Sequence, residues 1–247
     1  MPHAPGATPP LIAHKSETMV YVRFMAELKS RARRKDAEAN REAILEAASV
    51  LLMQERNTSL ERIAQQAGLT RRTVYGHFSG RDELIDAVLI RAAAQLTAEL
   101  DPINHPDARV ELALHASRLW ADSDDVRLLT RLSGHGRHRD QVARMLEPVR
   151  IRLRETIERG IASGALRDDI EPGSLARLIE ATALSVLSEA RRTFLSPERG
   201  HVLVITCVLG IAGLGRDEIQ GLMERTPVLA YGAELTAPAL EPSWLRA

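Results

Sequence analysis

The sequence predicts an all-α protein, with an N-terminal three-helix domain containing a helix-turn-helix and a larger helical domain after it. Three observations carry that reading. Aromatic residues make up only 3% of the 247-residue chain, while Ala, Leu, Arg and Glu dominate and β-branched runs are scarce, a composition that favours helix over sheet. Apolar residues recur at helical spacing. Glycine and proline cut the chain into helix-length pieces.

The elements follow in order. Residues 1–30 open with Pro2, Pro5, Pro9 and Pro10 and lack sustained periodicity, so they are expected to form a disordered extension. Met19 and Met25 are both plausible alternative starts. Arg41–Gln54 is an amphipathic helix, with Ile44, Leu45, Ala48, Leu51 and Leu52 on one stripe. Thr58 opens the next helix with Glu61 at capping-box spacing, and Leu60, Ile63, Ala64 and Ala67 form its apolar face. Gly68 ends that helix. Thr70 then caps Arg71–Gly76, with Val74 inward and Arg71, Arg72, Thr73 and Tyr75 mostly outward. Phe78 belongs to the core. Ser79 and Asp82 form a second cap-like pair before the long helix Asp82–Leu100.

Two short helices joined by a tight turn, the second carrying polar and basic residues, are suited to entering a DNA major groove. Arg71 and Arg72 at its start can grip guanine O6 and N7 or bind phosphate. Lys29, Arg31, Arg33, Arg34 and Lys35 precede the first helix. They read either as a mobile arm that follows the phosphate backbone or as a solvated charged leader. Net charge is zero overall, but residues 1–80 hold 12 Lys/Arg against 8 Asp/Glu, and the remainder 21 against 25. Positive charge is thus concentrated in the segment holding the helix-turn-helix.

Ile44-Leu-Glu-Ala-Ala48, Ile63-Ala-Gln-Gln-Ala-Gly68, Leu69-Thr-Arg-Arg-Thr-Val-Tyr75, His77-Phe78 and Asp82-Glu-Leu84 together resemble the TetR family of bacterial transcriptional regulators. The resemblance is close over residues 38–90 and extends beyond them only in helix order and length. It implies a helix-turn-helix DNA-binding domain with a basic arm at 31–82, an effector-binding and dimerisation domain at 83–225, and a tail at 226–247. It also implies a homodimeric repressor that a small-molecule effector releases from an inverted-repeat operator in double-stranded DNA. The implied DNA contacts are Arg33, Arg34, Lys35, Thr58, Thr70, Arg71, Arg72, Thr73, Tyr75, His77 and Arg81. Thr73 and Tyr75 look like the family's base or backbone contacts, His77 like its phosphate contact, and Arg81 like its basic phosphate clamp. Many relatives carry a small residue where this chain has Arg72, so the base code does not transfer.

Beyond residue 90, helices are expected at Ala108–Ala121, Asp125–Ser133, Arg139–Ser163, Ser174–Phe194, Pro197–Leu214 and Asp217–Glu224, with Pro148 positioned to kink one of them. The resemblance implies that the last two long helices pair with those of a second subunit, with Leu178, Thr182, Val186, Val204, Val208 and Ile211 at the dimer interface. Periodicity alone fits an intrachain core equally well. His115, Arg118, Trp120 and Met145 are candidate effector contacts. His135 and His138 lack a third clear ligand and fall short of a zinc site, so no metal and no cofactor is expected. Cys207, the single cysteine, reads as a small hydrophobe on an apolar helix. No paired catalytic motif, nucleophile elbow or phosphate loop is present, which argues against an enzyme. An adaptor that uses its helix-turn-helix for protein contacts is the other alternative, disfavoured by the basic residues. With no run of ~18 apolar residues and no secretory leader, a cytoplasmic protein is expected.

Overall fold

The computed structural model describes residues 13–233, apart from 56, 122 and 133–136. Among the described residues there are eleven α-helices and a short 3₁₀ turn, and no strand.

The first helix, α1 (Ala13–Gln54), is much longer than the periodic stripe at its end. Disorder over residues 1–30 is therefore corrected for residues 13–30. The four early prolines all precede Ala13, and Ala13–Gln54 contains neither proline nor glycine, so nothing in the backbone interrupts the helix. Lys29, Arg31, Arg33, Arg34 and Lys35 are exposed on this helix rather than on a loose arm. Its C-terminal half packs on α2 (Leu60–Gln66), α3 (Arg71–His77) and α4 (Arg81–Leu100). Ile44, Leu45, Ile63, Val74 and Phe78 are buried between them.

The second domain stacks around α4 and α5 (Ala108–Ala121). Helix α4 packs on α6 (Ser123–Leu132) and α7 (Arg137–Met145), while α5 packs on α8 (Glu147–Ala162) and α10 (Pro197–Ile211). Helix α9 (Pro172–Arg192) lies against both α8 and α10, and α11 (Arg216–Arg225) closes the end. The single helix expected at 139–163 is instead two, broken at Leu146. Pro148 sits in the first turn of α8, where a missing N–H costs nothing; inside a continuous helix it would have removed a hydrogen bond. The tail docks as far as it is described. Leu229 is buried in a 3₁₀ turn, its carbonyl 2.8 Å from Nε2 of His201, and Tyr231 meets the same ring edge-on. Leu235, Leu240, Trp244 and Leu245 lie outside the described residues.

Candidate functional site

Local chemistry builds the helix-turn-helix. Ser59, not Thr58, is the N-cap of α2; its hydroxyl accepts from the Arg62 amide at 3.2 Å. Thr58 is 2% exposed, and its Oγ1 has no partner among the described residues. That corrects both its capping role and its expected phosphate contact, because a phosphate cannot reach a hydroxyl so enclosed. Helix α2 ends at Gly68, whose φ of +67° is the left-handed conformation that favours glycine. Thr70 caps α3 as expected, accepting from the Thr73 amide at 3.1 Å, and its hydroxyl also lies 2.8 Å from that of Thr73. After α3, Glu83 rather than Asp82 partners Ser79, taking both its amide and its hydroxyl at 2.6 Å. The extra methylene of glutamate gives it the reach to turn back on that amide, and these two bonds hold its carboxyl below the usual range.

The outward face of α3 carries Arg71, Arg72 and Tyr75, all exposed. Arg71 sits over the Tyr75 ring at 5.4 Å and pairs with Glu61 of α2 at 2.9 Å. The hydrogen bond to Tyr75, with Glu61 adding to it, raises the guanidinium's already high pKa. An exposed pair of this kind is worth little and exchanges readily for another anion. His77 and Arg81 are half-buried at the far end of the helix, with His77 tilted against Phe78. Phe78 is fully buried beneath the guanidinium of Arg41 at 5.3 Å. Thr73, Arg71, Arg72, Tyr75 and the capped start of α3 thus share one surface, whereas Arg33, Arg34 and Lys35 lie farther back along α1.

Residues 44–88 match the family model for bacterial regulatory proteins of the tetR family. That segment is similar to the tetR regulators. The HTH-type transcriptional regulator SrpR of Pseudomonas putida is 37% identical over 83 residues, covering 33% of this chain and 37% of SrpR. The uncharacterized HTH-type transcriptional regulator TtgW, from the same species, is 38% identical over 83 residues, covering 33% of this chain and 59% of TtgW. The chain therefore spans between about a third and three-fifths of the curated relatives it matches. Solved structures extend the likeness across both domains as fold. The MbdR regulator of Azoarcus sp. CIB aligns with a TM-score of 0.62 at 22% identity, over 71% of this chain and 99% of that one. FadR of Bacillus subtilis, solved with stearoyl-CoA, aligns with a TM-score of 0.60 at 16% identity, over 70% and 97%.

The second domain holds a cavity of about 640 Å³. Leu96 and Leu100 of α4, Leu112 and Leu119 of α5, Leu129 of α6 and Val142 of α7 give it an aliphatic wall. Of the four expected effector contacts, only His115 lines it. Arg118 pairs with Glu99 of α4 instead. Trp120 is pressed against α10 at Gly200, where an added Cβ would fall 2.0 Å from the indole. Met145 packs against the core at the end of α7. Sequence reading missed Arg150 and Glu180, which line the cavity and pair at 2.6 Å from α8 and α9. No motif signals a pair 30 residues apart. Glu111 was also missed. It is 2% exposed on an otherwise apolar stretch of α5, accepting from Thr156 Oγ1 at 2.6 Å, Arg159 Nη2 at 2.7 Å and the His105 amide at 2.9 Å.

The expected dimer contacts divide. Val204 and Val208 are 0% and 2% exposed, and Val186 is also buried, within the single chain. These three are core residues because α5 and α9 already cover that side of α10. Leu178, in contrast, is 44% exposed, as is Val202 of α10 at 46%, with Thr182 and Ile211 half-buried. His138 Nδ1 donates to Asp86 Oδ1 of α4 at 2.8 Å; His135 lies outside the described residues. No group of three or more metal-ligating side chains occurs among the described residues. Cys207 is half-buried, and burial pushes its thiol pKa up. No helix among the described residues is long and apolar enough to cross a membrane.

Proposed function

We propose that this chain is a homodimeric, DNA-binding transcriptional repressor of the cytoplasm, released from its operator by a small-molecule effector. The observation that carries the reading is α3. It is an exposed helix, capped by Thr70, that presents Arg71, Arg72 and Tyr75 on one open face. Such a helix reads base edges while flanking cations fix its register on the phosphates. Arg33, Arg34, Lys35, Thr70, Thr73, His77 and Arg81 complete the contact set, and Thr58 leaves it.

Dimerisation uses the side of α9 and α10 that the chain leaves open, around Leu178, Thr182 and Val202. A two-fold pair then sets two copies of α3 on half-sites about one DNA turn (~34–36 Å) apart. The effector enters the second-domain cavity. Helix α4 supports this coupling, because it begins at the helix-turn-helix and lines the cavity at its other end with Leu96 and Leu100. Arg91 of α4 binds Glu42 of α1 at 2.7 Å, and Asp86 binds His138 of α7. An effector that prefers another arrangement of α4 to α9 shifts the population and respaces the reading helices. The likeness to FadR, solved with stearoyl-CoA, supports a small-molecule effector.

Selection of bound fragments from the source genome, with footprinting at two salt concentrations, tests the reading. A short inverted repeat bound less tightly at high salt is expected. Random recovery from a folded dimer, unchanged by candidate effectors, would favour the adaptor reading instead.

A further inference from the structure

The polar inventory of the cavity wall is short, and its charges cancel. Among the described residues lining it, Arg150 is the one guanidinium and Glu180 the one carboxylate. Arg150 Nε donates to Glu180 Oε2 at 3.0 Å and Nη2 to Oε1 at 2.6 Å, while Nη1 donates to the Ala143 carbonyl at 3.4 Å. All three guanidinium nitrogens are therefore engaged. Two of its five N–H groups remain, but its charge is already matched by Glu180, so a ligand carboxylate or phosphate would add an unbalanced negative charge beside an aliphatic wall. A cation meets the reverse problem. The charge of Glu180 is already matched by Arg150, and no Phe, Tyr or Trp among the described residues lines the cavity to receive a positive charge on its ring face.

His115 lines the cavity and also a small neighbouring pocket beside Thr97, Asp101 and Arg152. Its Nδ1 lies 3.0 Å from the Glu111 carbonyl one helical turn back. A carbonyl only accepts, so Nδ1 carries the proton and Nε2 keeps its lone pair. The residue is more than nine-tenths buried, and no described protein group bonds Nε2. Burial lowers the pKa of the imidazole, so the ring stays neutral and accepting. Thr130, also in the wall, spends its proton on the Val126 carbonyl at 2.8 Å, leaving a second acceptor.

We propose that the effector is an uncharged, mainly aliphatic molecule carrying a hydroxyl or N–H group that donates to Nε2 of His115. This rests on reading the cavity as the effector site. A volume of about 640 Å³ is within the range of pockets that enclose drug-sized ligands. An aliphatic wall selects by shape and apolar area, and the acceptor selects the polar end.

Isothermal titration of the full chain with four probes of equal chain length tests the class: 1-decanol, methyl decanoate, decanoate and decyltrimethylammonium. Decanol is expected to bind tightest. Its lead over methyl decanoate, which offers no donor, should be about tenfold, the scale of one net hydrogen bond to a buried acceptor. His115→Leu should bring decanol down to the ester's affinity. Two further variants read as gains, which a folding defect cannot imitate. Glu180→Gln frees Arg150 and should make decanoate the preferred probe, and Arg150→Gln should do the same for decyltrimethylammonium. A wild-type preference for either ion, or no binding of any probe, overturns the proposal. Operator selection does not involve the cavity, so those outcomes would leave the DNA-binding reading standing. Failure of the operator selection alongside the expected probe ranking would do the opposite.

Discussion

At the scale of single residues, the decisive contrast is between side chains that are exposed with a transient partner and side chains that are enclosed. Arg71 is held by Glu61 and Tyr75, both exposed partners it can give up. Arg71→Ala and Tyr75→Ala should each weaken operator binding by about 1–3 kcal/mol, roughly fivefold to 150-fold. Fluorescence anisotropy on the selected operator would measure this, with size-exclusion chromatography expected to return the same elution as the unsubstituted chain. Unaltered affinity in both variants would move the reading surface elsewhere. Thr58 gives the opposite expectation. Its buried hydroxyl has no described partner, so Thr58→Val should be neutral or stabilising by up to about 1 kcal/mol in urea unfolding, with operator affinity unchanged. A marked loss of affinity would return Thr58 to the DNA-contact set. The sequence placed a hydroxyl here correctly but chose the wrong neighbour as cap. Thr58 and Ser59 are both capping residues by type, and only the fold buries one of them.

At the scale of elements, helix ends and close approaches set what holds. Thr70 satisfies the Thr73 amide at the start of a seven-residue helix, and so short a helix has little propensity of its own to fall back on. Thr70→Ala should cost about 1 kcal/mol of stability, measurable by thermal unfolding. In the second domain, α5 and α10 approach so closely that the Trp120 indole occupies the place of a side chain at Gly200. Gly200→Ala should therefore destabilise by about 1–3 kcal/mol. A control at Gly210, where an added Cβ meets nothing within 4 Å, should not. A helix interior otherwise prefers alanine, so an equal gain at both positions would show that the indole yields easily. Helix positions after residue 90 were legible from spacing and punctuation, and Ala108–Ala121 agrees end to end. The break at Leu146 was not legible as a break, because a proline permits either a kink or a new first turn and the neighbouring helices choose.

At the scale of the whole molecule, burial decides both the core and its pH response. His115 is enclosed by the second domain, and burial depresses its pKa from the ordinary value of 6.5. The unfolded chain takes up a proton near that pH and the folded ring does not. The stability contributed by keeping His115 neutral is thus fully present above about pH 6.5 and lost as the pH falls below it, by up to about 1.4 kcal/mol per pH unit. Urea unfolding between about pH 7.5 and 5 should show the decline, and His115→Gln should flatten it. An identical slope in the variant would assign the effect to other groups.

Spacing, caps and breakers acting within a few residues were enough to set the helical class, the helix-turn-helix with its outward Arg71, Arg72 and Tyr75, the inward Phe78, and most helix limits. Long-range packing settled the rest. It made one side of α10 core, so that Val204 and Val208 face inward while Val202 does not, and it brought Arg150 to Glu180 from 30 residues away. It also put His115 at the cavity in preference to Arg118, Trp120 or Met145. An apolar stripe says only that a face is covered, and what covers it depends on residues far away in the chain.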